Sequence, residues 1–251
     1  MARTRPYALC IAGSDPSGGA GIFADLKTLE ANKVYGLGVV SALTYQNDDT
    51  FSGVDWVLME KIIAQARLVL QKFPVEVVKI GLIQNLPVLK ALISFLQENS
   101  PDIKIIWDPV LKASAGFTFH EQLDQEMLKE VLNSLYVITP NVPEARQLSP
   151  ASQPEESAQQ LSHFCHVLLK GGHQDDKKGY DQLFLRTGEI LSYRPRRLEV
   201  FPKHGSGCVL AAALAANLAR GFKLPRAVLR AKQYTAGFLA SNETLLGYHK
   251  L

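Results

Sequence analysis

Cysteine is scarce in this chain: Cys10, Cys165 and Cys208 are three in 251 residues, widely spaced and without a Cys-x-x-Cys pair. That pattern excludes a disulfide framework and the common zinc and redox motifs, and it suits a reducing compartment. Charge of one sign is also missing in bulk, with a net charge of +3. Apart from Arg194, Arg196 and Arg197, read as a solvated edge, the basic residues are scattered, so no stripe for nucleic acid is expected. Long apolar runs are absent as well. The run YALCIAG is cut off by Ser14 and Asp15, too short for a signal-peptide core or a membrane span, so a soluble cytoplasmic protein is expected. With 47% of residues apolar and no repeat, linker or low-complexity tract, the chain reads as a single domain over 1–251.

What the chain does contain is a series of short apolar runs, each ending in polar residues or glycine. They are YALCIAG into Ser14, GVVSALTY into Gln46, VEVVKIG into Gln84, IKIIWD at Asp108, LYVITPN at Asn141 and HVLLKGG at Lys170. Runs of this kind are buried parallel strands. Between them lie segments of helical period, such as GIFADLKTLEANK with Ile22, Leu26 and Leu29 on one face. The alternation predicts an α/β fold, a mostly parallel central sheet with helices on both faces. After Lys170, alternating residues around Thr187 and Gly188 predict an antiparallel hairpin at the sheet edge. Ligands of such sheets bind beyond the carboxyl ends of the strands, where the polar residues gather.

Those residues admit more than one reading. Gly18, Gly19 and Gly21 mark either a flexible turn or a backbone that approaches a ligand, and they match neither the dinucleotide nor the Walker spacing. Asp25 falls inside the apolar stripe of its helix, so protein donors or a ligand must satisfy it. Gln46 offers both donor and acceptor to a heteroatom-rich ring, or caps a strand. Asp108 before Pro109 starts a turn or holds magnesium, directly or through water. Asn141 and Glu144 have capping-box spacing, which leaves a carboxylate near the ligand edge. Lys170 and Gly171 make a plain turn or a nucleotide contact. In His204-Gly-Ser-Gly-Cys208 the amides of Gly205, Ser206, Gly207 and Cys208 open an alanine-rich helix. That is an anion site whose dipole is expected to lower the thiol pKa, or simply a packed cysteine.

Seven stretches in order, AGSDPSGGAGIFADLKT, ALTYQN, VVKIGL, DPV, ITPNVPEA, LLKGGH and HGSGC, resemble the hydroxymethylpyrimidine/phosphomethylpyrimidine kinases of thiamin biosynthesis, within the ribokinase-like superfamily. The resemblance runs from about Leu9 to the last helix. It implies a ribokinase-like fold and ATP-dependent phosphorylation of 4-amino-5-hydroxymethyl-2-methylpyrimidine, then of its monophosphate. It also implies Mg2+ and a homodimer. Asp25 and Gln46 would bond the aminopyrimidine, with Gly13, Ala20 and Leu82 shaping its pocket. Asp108, Lys112, Asn141, Glu144, Lys170 and Gly171 would serve ATP and its phosphates, Asp108 and Glu144 also the metal. Gly205, Ser206 and Gly207 would form the anion hole, and Cys208 would align the hydroxyl and accept its proton late. A pyridoxal kinase is the enzymatic alternative, and a non-catalytic pyrimidine-binding protein the other.

The chain departs from the family pattern in places. Lys203 precedes His204 where the family has threonine, adding a charge beside the phosphate site, and Ser206 replaces threonine. Ser114 stands where the family has a lysine, leaving Lys112 two residues earlier, and Leu82 replaces a common methionine.

Overall fold

Among the described residues nine strands form one sheet in the order β3-β2-β1-β4-β5-β6-β7-β8-β9. The computed structural model describes residues 4–111, 123–171, 179–195 and 199–250. The chain runs β1 (Tyr7–Ser14), α1 (Gly21–Ala31), β2 (Tyr35–Gln46), β3 (Phe51–Trp56), α2 (Met59–Lys72), β4 (Val75–Ile80) and α3 (Leu86–Asn99). It continues through β5 (Lys104–Trp107), α4 (Gln125–Asn133), β6 (Val137–Ile138), α5 (Val142–Leu148), α6 (Pro154–Ser162) and β7 (His166–Leu169). The last elements are β8 (Asp181–Phe184), β9 (Ile190–Tyr193), α7 (Ser206–Ala219) and α8 (Leu224–Leu239).

The apolar runs are the parallel strands: β2 to β1, β1 to β4, and onward through β5 and β6 to β7. The predicted hairpin is β8 and β9, antiparallel on the β7 edge. The opposite edge carries β3, which pairs antiparallel with the far half of β2 and had no separate signal in the sequence. Period-two alternation divides the core. Leu9 and Ile11 of β1 pack with α2 to α6, while Ala8 and Cys10 face α7 and α8 on the other side. Fully buried alanines along α7, Ala211, Ala212, Ala213, Ala215 and Ala216, let it lie close against the sheet.

Sequence order reverses at β1, which has β2 on one side and β4 on the other. This switch point leaves a crevice outside the carboxyl ends of β1 and β4, where an open α/β sheet takes ligands. Among the described residues no helix is long and apolar enough to cross a membrane.

Candidate active site

A cavity of about 620 Å³ opens at that crevice. One wall is built from two glycine turns that meet. Leaving β1, Asp15 is fully buried and accepts from Ser17 N (2.9 Å), Ser17 Oγ (2.8 Å) and Ala20 N (2.7 Å). His204 Nε2 lies 2.9 Å from Asp15 Oδ2, the oxygen that also accepts from Ala20 N, and ties this turn to the start of α7. Burial alone would raise the Asp15 carboxyl, but His204, Ser17 and Ala20 together hold it below its usual value.

Gly205 caps α7 in the left-handed region, φ 71°, and a Cβ there would sit 2.1 Å from the Gly19 carbonyl oxygen. Only glycine allows the two turns to come this close. The amides of Ser206, Gly207 and Cys208 belong to the first turn of α7, whose N–H groups have no carbonyl partner within the helix, and they line the cavity.

Behind this turn stands Lys170, just past β7. Its Nζ donates to Asp108 Oδ1 at 2.9 Å and lies 3.5 Å from Glu144 Oε2. A Cβ on Gly207 would come within 3.3 Å of the same Nζ. Asp108 also accepts from Thr139 Oγ1 at 2.9 Å. Burial would raise Asp108, yet the charges of Lys170 and Lys79 hold it below its usual value. Glu144 is pushed up by burial against the pull of Lys170. Asn141 and Glu144 form a complete capping box on α5, Asn141 N donating to Glu144 at 2.7 Å and Glu144 N to Asn141 at 2.9 Å.

Gly13, Ala20, Leu82 and Gln46 line one end, where a Cβ on Gly13 would meet Leu82 at 2.9 Å. Gln46 Nε2 donates to Thr44 Oγ1 at 2.8 Å, which leaves its carbonyl oxygen and second N–H for a ring. Asp25 does not reach this surface. It is fully buried and accepts from Lys79 Nζ at 2.7 Å, while its Oδ1 has no hydrogen-bond partner among the described residues. The donor that Asp25 requires is thus a protein lysine, one that reading the sequence passed over. The signal was present: a lone lysine inside the apolar strand VEVVKI and a lone aspartate inside an apolar helix stripe. Burial pushes Asp25 up to about 6 despite Lys79, and Asp25 holds Lys79 above its ordinary value against burial.

Two further expectations, for Cys208 and Gly171, need correction. The thiol of Cys208 is not lowered: burial, reinforced by Asp25 and Asp108, pushes it up to about 11 against the pull of Lys79. Desolvation outweighs the pull of Lys79 and of the Gly21 backbone hydrogen bond here. Lys203 borders the cavity beside the Gly205 turn, and its Nζ donates to the carbonyls of Asn242 and Thr244, each at 2.6 Å. Gly171 is not in the cavity wall. A Cβ there would lie 1.6 Å from the Tyr180 carbonyl, so its glycine serves chain packing, and its N–H donates to Asp181 Oδ1 at 3.0 Å. Lys112 lies outside the described residues.

The family model for phosphomethylpyrimidine kinase matches residues 15–250. The chain belongs to that family. It is 38% identical over 238 residues to the thiamine biosynthesis bifunctional protein ThiED of Geobacter sulfurreducens, covering 92% of this chain and 48% of that protein, about half its length. With the hydroxymethylpyrimidine/phosphomethylpyrimidine kinase of Rhizobium meliloti it shares 36% identity over 248 residues, 95% of this chain and 92% of the relative. The pyridoxal kinase from Staphylococcus aureus in complex with ADP superposes with a TM-score of 0.82 at 28% identity, covering 97% of this chain and 91% of that one. The ribokinase-like fold expected from the sequence motifs is therefore the fold of a kinase.

In this phosphomethylpyrimidine kinase family member the far end of the cavity is apolar, lined by Val200, Leu210, Ala236 and Leu239. Lys232 borders it, donating to Asp181 Oδ2 at 2.6 Å and to the Gly179 carbonyl at 2.5 Å. The carboxylates also suit a hard cation. Asp108 and Glu144 together carry two negative charges against the one positive charge of Lys170, and magnesium typically takes one or two carboxylates beside phosphate and water.

Proposed function

We propose that this protein transfers the γ-phosphoryl group of ATP to the hydroxymethyl oxygen of 4-amino-5-hydroxymethyl-2-methylpyrimidine, and then phosphorylates the monophosphate to the diphosphate. The observation that carries this reading is one cavity joining three surfaces: an amide and aliphatic end at Gln46, Gly13 and Leu82, a glycine turn backed by Lys170, and an apolar end at Leu210 and Leu239. They suit the pyrimidine, the moving phosphoryl group and the adenine in turn.

Gln46 orients the aminopyrimidine, and Leu82 with Gly13 fixes the ring plane. The hydroxymethyl oxygen then forms its bond to the γ-phosphorus as the bond to the ADP oxygen breaks. Amides of Gly205 to Cys208 donate to the equatorial oxygens, where charge spreads in a loose transition state. Lys170 neutralises the same charge from beneath Gly207. Magnesium, held by Asp108 and Glu144, would supply further charge neutralisation on the phosphates. Cys208, with its thiol pushed up to about 11, keeps its proton at neutral pH and acts by aligning the hydroxyl. The hydroxyl proton leaves late, toward a phosphoryl oxygen.

Incubation with hydroxymethylpyrimidine and magnesium ATP, followed by mass analysis, tests this. Mono- and diphosphate products are expected. A second reading, pyridoxal phosphorylation, draws on the superposition with the S. aureus pyridoxal kinase. A strong preference for pyridoxal in parallel assays would replace the first reading, and binding without product would leave a non-catalytic pyrimidine binder. We place the enzyme in the cytoplasm, as a homodimer. The exposed Leu43 and Tyr45 beside the β3 edge support a second copy there.

A further inference from the structure

The residues after α8 form no regular element, yet they are fastened to the two glycine turns of the site. Lys203, two positions before Gly205, is only 7% exposed and places Nζ 2.6 Å from the carbonyls of both Asn242 and Thr244. His204 N–H donates to the Leu245 carbonyl at 2.9 Å, while its Nε2 meets Asp15 Oδ2. Leu246 and the His204 ring crowd Gly19, where a Cβ would lie 2.7 Å from one and 2.8 Å from the other. Asn242 Nδ2 closes the segment on itself by donating to the Leu246 carbonyl at 2.9 Å. Farther along, His249 Nδ1 meets Tyr234 OH at 2.8 Å and its ring lies 4.9 Å from that of Phe238. Residues 241–250 are thus a strap across the outside of both turns.

An ammonium between two carbonyls makes charge-assisted bonds, stronger than neutral ones, and it satisfies backbone groups of a segment that has no ladder to do so. The same lysine is chained to the helix N-terminus through His204 and Gly205. We propose that Lys203 is a positioning residue: by fastening the strap it sets the distance between the α7 amides and the Gly19-Ala20 backbone at which phosphoryl transfer proceeds. The proposal rests on the phosphoryl-transfer reading above. It makes the lysine that departs from the family pattern a part of the machinery without contact to phosphate.

Lys203→Met, Lys203→Arg, Leu246→Ala and the Met/Ala double variant test it in the full chain. In Lys203→Met a kcat loss on the order of 10- to 100-fold is expected, because a small misplacement of catalytic groups costs that much. The KM for the pyrimidine should stay within about threefold, the split that marks an interaction made in the transition state. Lys203→Arg should restore most of kcat. The double variant should lose no more than the worse single one, since both act through the strap. Unchanged kcat in Lys203→Met, or losses that multiply, would overturn the proposal. Hydrogen exchange reads the clamp without turnover. Faster exchange in the Met variant is expected at the His204 and Val209 amides, which donate to the Leu245 and Gly205 carbonyls, and unchanged exchange there sinks the clamp. Absence of product from the wild-type chain alone would instead count against the functional reading, leaving the exchange result to decide the clamp.

Discussion

Two lysines near the carboxyl ends of the strands hold carboxylates, and they do so under different conditions. Lys79 and Asp25 are 2.7 Å apart with both side chains at 0% exposure. Lys170, at 13%, touches Asp108 at 2.9 Å and Glu144 at 3.5 Å beside an open cavity. In the closed pair one positive charge meets one negative, Lys79 bordering the cavity but neither side chain meeting solvent. In the open cluster one positive charge meets two negatives, and a cation or a phosphate can enter and redistribute the contacts. The closed pair therefore acts as the floor that fixes β4 to α1, and the open one as machinery. Same-type ion pairs acquire different roles from access alone.

The largest effect should come from breaking the floor. Lys79→Met leaves an uncompensated buried carboxylate, a loss of about 3–5 kcal/mol in unfolding free energy measured by urea titration. Its pH dependence has a definite sign. Asp25 already sits at about 6, above its ordinary 3.8, so the folded state binds this proton more tightly than the unfolded chain. Stability from this group is present at low pH and is lost as pH rises through the folded value. Without Lys79 that value rises further, so the variant should be more stable at pH 5 than at pH 8. The reverse order would show that Asp25 is not the group left stranded.

Next in size is Lys170→Ala. Removing a preorganised cation from the phosphoryl path should lower kcat by about 100- to 1,000-fold, with a smaller loss of stability than in Lys79→Met. Steady-state kinetics beside urea titrations of the two variants check the contrast. If the two lysines give the same balance of stability and rate effects, the distinction between floor and machinery collapses.

Gly207→Ala sharpens the contrast further. The added methyl would lie 3.3 Å from Lys170 Nζ and 4.0 Å from Asp108 Oδ2, so the lysine must give way by a few tenths of an ångström. Alanine is favoured over glycine in a helix by up to about 1 kcal/mol. The expected variant is at least as stable as the parent and roughly tenfold slower, because a displaced catalytic group costs rate and not folding. A slower and less stable variant would mean that the methyl disturbs the helix itself.

Much of this architecture was legible in the sequence. Apolar runs with polar ends gave β1, β2 and β4 to β7 in order, and the Asn141 and Glu144 spacing gave the cap of α5. β3 escaped because FSGVDW is half-exposed at an edge and has no apolar run to mark it. Ordered motifs placed Gln46, Leu82, Lys170 and the Gly205 turn around a common cavity. Contacts to backbone were not legible. The Lys203 partners are two carbonyls, which every residue has, so no residue type announces them. Lys79 and Asp25 were each visible as an isolated charge in an apolar pattern, yet their pairing across 54 positions needed the fold. The direction of the Cys208 shift depended on how much water remains around the thiol, a property of packing rather than of helix position.

That shift gives the smallest and most discriminating test. Cys208 is half-buried between the open cluster and the closed pair, and it feels Lys79, Asp25 and Asp108 at once. Burial and the two carboxylates oppose the thiolate, while Lys79 and a backbone hydrogen bond from Gly21 favour it. The opposing set wins, from an ordinary 9.0 up to about 11. Alkylation of Cys208 by iodoacetamide, followed by peptide mass, should therefore keep rising about tenfold per pH unit beyond pH 9, since only the thiolate reacts. Cys10 and Cys165 are buried and serve as internal controls. Cys208→Ala should accordingly lose less than about tenfold in kcat, well below Lys170→Ala, because a thiol that keeps its proton contributes alignment rather than base chemistry. A plateau of alkylation near pH 7, with a loss in Cys208→Ala as large as in Lys170→Ala, would return the proton to sulfur and move Cys208 to the centre of the machinery.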